Sequence, residues 1–134
     1  MPRDDVTLSP SHQRARGRAE LVFGPGLRHL YHAAPLRWLF PDVDPGDPPC
    51  GALVNVAGGL AGGDSLEVSL RLEAGTRFTA TTPAAEKVYR SLGPETRLRC
   101  AMGVGAGAVL EWLPQDAILF DGARLGRRTE VSLE

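Results

Sequence analysis

Apolar and polar side chains alternate strictly along residues 66–73. The apolar positions are Leu66, Val68, Leu70 and Leu72, and the polar positions are Glu67, Ser69, Arg71 and Glu73. Successive side chains of an extended strand point to opposite faces of a sheet, so an alternation of period two places all the apolar residues on one face. The segment therefore predicts a strand with one buried face and one solvated face.

The same period of two recurs downstream and predicts strands over residues 77–82, 96–102, 108–113 and 127–133. Strand, glycine-containing turn, strand and proline also follow one another twice, about thirty residues apart. Such spacing occurs in the stacked rungs of a β-solenoid, and two consecutive hairpins would produce the same echo. The pattern predicts a mainly β fold and leaves these two arrangements open.

Two segments depart from this pattern. Residues 84–92, AAEKVYRSL, contain good helix formers between Pro83 and Gly93, and they predict a short helix. Residues 27–40 are rich in leucine and aromatic side chains, but Pro35 would interrupt a helix there, so their structure stays open.

The 134 residues suffice for one domain with a core of its own. We expect a flexible polar arm over residues 1–17 and a β-rich domain over residues 18–134, in which the prolines of residues 41–51 form an irregular loop. Apolar runs are too short to cross a bilayer and no signal peptide is evident, so we expect a cytoplasmic protein without a membrane partner.

The formal net charge of −1 provides no global basic field for a nucleic acid. The one local basic cluster consists of Arg14, Arg16 and Arg18, which could bind phosphate or form a solvated face. Because no aromatic side chains interleave with these arginines, we exclude nucleic-acid binding.

Residues 57–65, AGGLAGGDS, contain four glycines, followed by the acidic Asp64 and by Ser65. A phosphate-binding loop would end in Gly-Lys-Ser/Thr, and a dinucleotide-binding loop would lead into a helix. Here Asp64 stands in place of the lysine and a predicted strand follows, so nucleotide binding is disfavoured. Two interpretations remain: Asp64 bonds nearby backbone amides in a connection between strands, or it is a functional group beside a cavity or partner.

Other candidate chemistry is sparse. His29 and His32 belong to no recognised metal-binding motif, and we interpret them as structural. Cys50 and Cys100 are interpreted as small buried thiols. With no nucleophile motif and no carboxylate pair, we expect neither an enzyme nor a tightly bound cofactor. Tyr89 and Arg90, with Trp112, could mark a protein interface or equally belong to the core.

Four motifs in order carry a family resemblance. They are AAPLR and LFP at residues 33–41, NVAGGLAGGD at 55–64, TPAAEKVYRS at 82–91 and LEWLPQDAILFDGA at 110–123. The motifs lie between residues 33 and 123, the resemblance extends over about residues 18 to 133, and the last motif is the most specific. The chain resembles the urease accessory protein D family, called H in some bacteria.

This resemblance implies a non-catalytic assembly factor. Members dock onto apo-urease and bind the F-type accessory protein, through which they recruit the G-type GTPase that delivers nickel. The implied fold is mainly β, with strands stacked in a β-helix-like arrangement and one or two short helices. Nickel would pass transiently, and a chain poor in histidine and cysteine suits a conduit better than a storage site.

By motif position, the resemblance places Asp64 on an internal nickel path, with Thr82 and Glu86 as further candidates. Tyr89, Arg90, Trp112 and Asp121 are the candidates for partner binding. The alternatives are a truncated fragment without function, or a standalone β-rich enzyme whose site lies in the loop 58–64.

Some positions depart from the family. Val56-Ala57 stands where many members have Pro-Pro, and Ser65 stands where a basic residue is common. The chain also resembles only the N-terminal half of the family. A solenoid divided between rungs exposes a strand edge and part of its core, so we expect the isolated chain to be marginally stable or to associate.

Overall fold

A computed structural model describes residues 14–134, which form eleven strands and no helix. The strands are β1 (Arg16–Phe23), β2 (Leu27–Ala33), β3 (Leu36–Leu39), β4 (Cys50–Asn55), β5 (Ser65–Leu72), β6 (Arg77–Thr81), β7 (Glu86–Val88), β8 (Thr96–Val104), β9 (Val109–Leu113), β10 (Ala117–Leu119) and β11 (Leu125–Leu133). The mainly β class predicted from the alternation is confirmed.

The strands form three sheets. The large sheet has the order β11-β8-β5-β1-β2, in which only β2 runs antiparallel to its neighbour. The four-stranded sheet has the order β3-β4-β6-β9, and β7 pairs in parallel with β10. From β5 onward the chain visits the large, four-stranded and two-stranded sheets in turn, repeats that order, and returns to the large sheet. This order explains the echo in the sequence, while the β-helix-like description stays a prediction.

The core lies where the alternation placed it. Leu66, Leu70 and Leu72 of β5 are almost fully buried, and Phe78 and Ala80 of β6 lie beside them in the same apolar cluster. On β8, Met102 is buried while the alternating arginines are exposed. Parallel pairing stacks these positions in register, because Leu66 lies opposite Leu98 and Leu70 lies opposite Met102.

The helix predicted over residues 84–92 is wrong, and so is the expectation of one or two short helices within the described chain. Residues Glu86–Val88 form β7, and the amide of Tyr89 donates to the carbonyl of Leu60 at 2.8 Å. A helix of nine residues is marginal in water. Pairing with Leu60 and β10 satisfies the same backbone groups and buries Val88 completely.

The segment left open, residues 27–40, forms β2 and β3 joined at Pro35. The loop predicted over residues 41–51 ends before β4, which begins at Cys50. Most of the predicted N-terminal arm lies outside the described residues, and β1 begins at Arg16. Cys50 and Cys100 are half-buried free thiols, and burial raises the pKa of Cys100 to about 11.

Exposed apolar side chains occur on β2, at Leu27, Leu30 and Tyr31, and on the last three strands. Those of the last three strands are Val109, Leu113, Ile118, Leu119, Val131 and Leu133. β9 and β11 are edge strands of their sheets, with a neighbour on one side only. Exposed apolar edges favour association, which is the expectation drawn from the sequence, and the association itself stays a prediction.

Candidate functional site

The first candidate, Asp64, lies in the turn before β5 and is 5% exposed. Its Oδ1 accepts the amide of Ala15 at 2.7 Å, and its Oδ2 accepts the amide of Ala61 at 2.8 Å. Both carboxylate oxygens are thus held by backbone donors, as in the first of the two interpretations offered for this residue. The carboxylate joins the start of the described chain to the glycine-rich turn.

The glycines of this turn have identifiable causes. Gly63 has a φ of 89°, which a side chain would disfavour, and the guanidinium of Arg14 lies where its Cβ would stand. Arg14 donates to the carbonyl of Gly62 at 2.7 Å. Earlier in the stretch, Gly59 gives room to the ring of Tyr89, which occupies the place of a Cβ there. The glycine-rich sequence therefore serves close packing.

A central cavity of about 390 Å³ lies between the sheets. Its polar lining includes Asn55, Thr82, Glu86, Arg99, Gln115 and Arg127, and its apolar lining includes Leu36, Leu53, Leu66, Leu98 and Trp112. The cavity therefore unites Thr82 and Glu86, two of the three residues predicted for the nickel path. The third, Asp64, does not line it.

Glu86 is the carboxylate of this cavity. Burial raises its pKa, and this effect exceeds the lowering by a hydrogen bond from Asn55 and by the positive charge of Arg127. The amide Nδ2 of Asn55 donates to Oε2 of Glu86 at 2.9 Å. Asn55 and Arg127 were missed in the sequence, because local patterns do not reveal contacts between residues so far apart in the chain.

Thr82 also lines the cavity. Its Oγ1 accepts the backbone amide of Gln115 at 2.8 Å, which ties the end of β6 to the segment after β9. Lys87, Arg99, Arg127 and Arg128 also line the cavity, so its positive side chains outnumber the one carboxylate in its lining.

Within residues 14–134, no three histidine, cysteine, aspartate or glutamate side chains come together in a geometry that could hold a metal ion. The two histidines of β2 contact other groups of the fold. His29 lies 3.0 Å from Oε1 of Glu20, and Nδ1 of His32 accepts the amide of Trp38 at 3.3 Å.

Three of the four predicted partner-binding residues meet at one exposed corner. Tyr89 and Arg90 follow β7, and Phe120 and Asp121 follow β10. The rings of Tyr89 and Phe120 pack edge to face with centroids 5.1 Å apart, yet they are 40% and 46% exposed. We name these four residues the aromatic corner. Exposed, preassembled aromatic pairs flanked by charges are typical of protein interfaces.

Trp112, the fourth predicted residue, lies elsewhere, half-buried on β9 and lining the central cavity. Phe120 was missed as a candidate, although it stands within the LFDGA motif. Only the parallel pairing of β7 with β10 reveals that the two aromatic rings are neighbours.

In the described part of the chain, no helix is long and apolar enough to span a membrane.

Comparison with known proteins finds a matching family model and several similar proteins. A family model described as UreD urease accessory protein matches residues 15–134. A urease accessory protein UreD from Granulibacter bethesdensis is 57% identical over 95 residues, covering 71% of this chain and 40% of that protein. The Rhodopseudomonas palustris protein of the same name is 46% identical over 138 residues, covering 96% of this chain and 48% of that protein. The chain thus spans less than half the length of these curated relatives.

Proposed function

We propose, from the premise that this chain belongs to the UreD urease accessory protein family, that it acts as a non-catalytic assembly factor for urease. In this proposal it binds apo-urease in the cytoplasm and, with an F-type accessory protein and a G-type GTPase, helps to deliver nickel. The observation that carries the proposal is the family match over residues 15–134. The names of the relatives specify service to urease, and the partners beyond urease come from the resemblance.

The central cavity supports a role in handling nickel. Glu86 provides a carboxylate that has one hydrogen bond from a side chain, and the Asn55 amide and Thr82 hydroxyl line the same space. We propose that a nickel ion in transit contacts Glu86 and Thr82, and that the opposing charge of Arg127 keeps this contact weak. The assignment of Asp64 to the path is untested. Because both of its carboxylate oxygens accept backbone hydrogen bonds, we propose Glu86 rather than Asp64 as the carboxylate that meets the ion.

The aromatic corner supports a role in partner binding. Tyr89 and Phe120 offer a preassembled apolar contact, with Arg90 and Asp121 beside them for charged hydrogen bonds. We propose that this corner contacts the F-type accessory protein. Trp112 would not touch this partner. Its side chain would instead form part of the wall of the central cavity through which the ion passes.

The test is disruption of the gene in its own host, followed by complementation. We expect disruption to leave urease apoprotein present but inactive and without nickel, and the restored gene to recover both activity and nickel content. Full urease activity in the disrupted strain at limiting nickel would overturn the proposal. Recovery of urease together with the affinity-tagged protein would report the predicted binding independently of activity.

A further inference from the structure

The outer face of the large sheet is a flat, charged surface whose side chains stand in register. One row crosses four neighbouring strands through Arg18, Glu67, Arg99 and Arg128. The next row runs through Glu20, Ser69, Ala101 and Glu130. Because Ser69 and Ala101 are small, a shallow depression of about 370 Å³ lies over them, with charged side chains around it.

Arginine predominates on this face. The exposed arginines are Arg16, Arg18, Arg71, Arg97, Arg99 and Arg128, and the glutamates are Glu20, Glu67 and Glu130. The face is therefore positive although the whole chain carries a net charge of −1. Such a local field attracts a partner that bears carboxylates.

Several arginines already have partners on the face. Arg18 lies 3.4 Å from Glu20 and 3.8 Å from Glu67, and Arg128 lies 2.9 Å from Glu130. Among the ion pairs within residues 14–134, none includes Arg71 or Arg99. In the strand register, Arg71 follows Ser69 on the same face of β5, and Arg99 precedes Ala101 on the same face of β8. Both side chains are exposed to an incoming carboxylate, and Arg99 lines the depression itself.

Arg71 has a glycine as its neighbour on the adjacent strand. Gly103 is its neighbour on β8, and a Cβ there would lie 3.8 Å from Cγ of Arg71. The aliphatic part of Arg71 thus approaches the glycine. Arginine presents a planar set of donors that matches a carboxylate with two parallel hydrogen bonds, so guanidinium groups suit the recognition of acidic side chains.

We propose that this outer face binds the urease apoprotein through carboxylate side chains of the apoprotein, with Arg71 and Arg99 as the principal contacts. The inference rests on the proposed function, because urease is the protein that the relatives are named as serving. The interleaved glutamates oppose a polyanion such as a nucleic acid and favour a protein surface of mixed charge. Glu86 and Thr82 line only the central cavity, whereas Arg99 and Arg128 line both the cavity and the depression.

The test compares R71E/R99E with a matched control, R37E/R77E, which reverses two exposed arginines of the four-stranded sheet. Each affinity-tagged protein is expressed from its own gene, purified and titrated with purified urease apoprotein over a range of salt concentrations. We expect R71E/R99E to weaken binding by at least about tenfold, and the control to change it by less than about twofold. Wild-type binding should weaken with added salt, and that dependence should shrink in R71E/R99E.

The outcomes separate the two proposals. If the wild-type protein does not bind urease apoprotein, the proposed function fails and this inference fails with it. If wild type and R71E/R99E bind equally, the face is only a solvated surface, and the proposed function survives without it. If R71E/R99E does not fold by circular dichroism, R71Q/R99Q takes its place and must show weakened binding for the inference to stand.

Discussion

Asp64 and Glu86 are two carboxylates that the family resemblance assigns to one path, and the fold gives them different surroundings. Asp64 is buried in a turn, where two backbone amides donate to its two oxygens. Glu86 lies in the central cavity, where burial outweighs the hydrogen bond from Asn55 and raises its pKa. Two carboxylates to which motif position assigns one role therefore differ in burial and in hydrogen-bond partners.

The physical reason is the free energy of desolvation. A buried charge is stable when fixed donors replace the water it loses, and two short backbone hydrogen bonds do this for Asp64. A carboxylate with fewer donors keeps bonding capacity for another ligand, which is the condition of Glu86. We therefore interpret Asp64 as a residue that holds the fold and Glu86 as one that can engage a passing ion.

Among these substitutions, we expect Asp64→Ala to lower the free energy of unfolding most. Removing the carboxylate leaves the amides of Ala15 and Ala61 without an acceptor, and each unpaired buried group costs about 1–3 kcal/mol. We expect the free energy of unfolding to fall by about 3 kcal/mol, measured by urea denaturation. Asp116→Ala, at an exposed aspartate, serves as the control and should change it by less than about 0.5 kcal/mol. Equal stability of both variants would show that the Asp64 hydrogen bonds do not stabilise the fold.

Gly59→Ala should have the next largest effect. Its Cβ would overlap the ring of Tyr89, so the ring must move and lose its contact with Phe120. We expect a destabilisation of about 1–2 kcal/mol in thermal or urea unfolding. Gly93→Ala is the matched control, because nothing lies within 4 Å of a Cβ there. If both substitutions are neutral, the ring has room to move and the glycine is not required by packing.

Much of the fold follows from the sequence, because alternation reports directly which face of a strand is buried. β5, β6, β8 and β11 were predicted in this way and confirmed. β7 could not be, since its residues favour a helix locally and become a strand only by pairing with Leu60 and β10. The candidate site, too, could be predicted only in part. Its residue types are visible in the motifs, but the contact of Asp64 with Ala15, 49 positions away, depends on the complete fold.

Glu86→Gln should change stability least of these variants and thereby sharpen the contrast with Asp64. Glutamine can still accept the hydrogen bond from Asn55 and removes a partly buried charge, so we expect a change of less than about 1 kcal/mol in either direction. Urea denaturation near neutral pH measures it. A loss as large as that of Asp64→Ala would mean that Glu86 also holds the fold.

The pH dependence of the free energy of unfolding, compared between wild type and Glu86→Gln, tests the raised pKa of Glu86. A carboxyl whose pKa is higher in the folded than in the unfolded protein binds its proton more tightly when folded. Its contribution to stability is complete below the unfolded pKa and is lost as the pH rises through the folded pKa. The stability of wild type relative to Glu86→Gln should therefore decline as the pH rises from the ordinary value of 4.5 toward neutrality. A difference independent of pH would contradict the raised pKa.

The most direct test of the account is the nickel content of urease in host cells that carry Glu86→Gln or Asp64→Asn, compared at equal levels of folded accessory protein. Glu111→Gln, at an exposed carboxylate outside the cavity, is the matched control. We expect nickel-poor urease with Glu86→Gln, and normal nickel content with Asp64→Asn and Glu111→Gln. Normal nickel content with Glu86→Gln, together with nickel-poor urease from the folded Asp64→Asn protein, would contradict it.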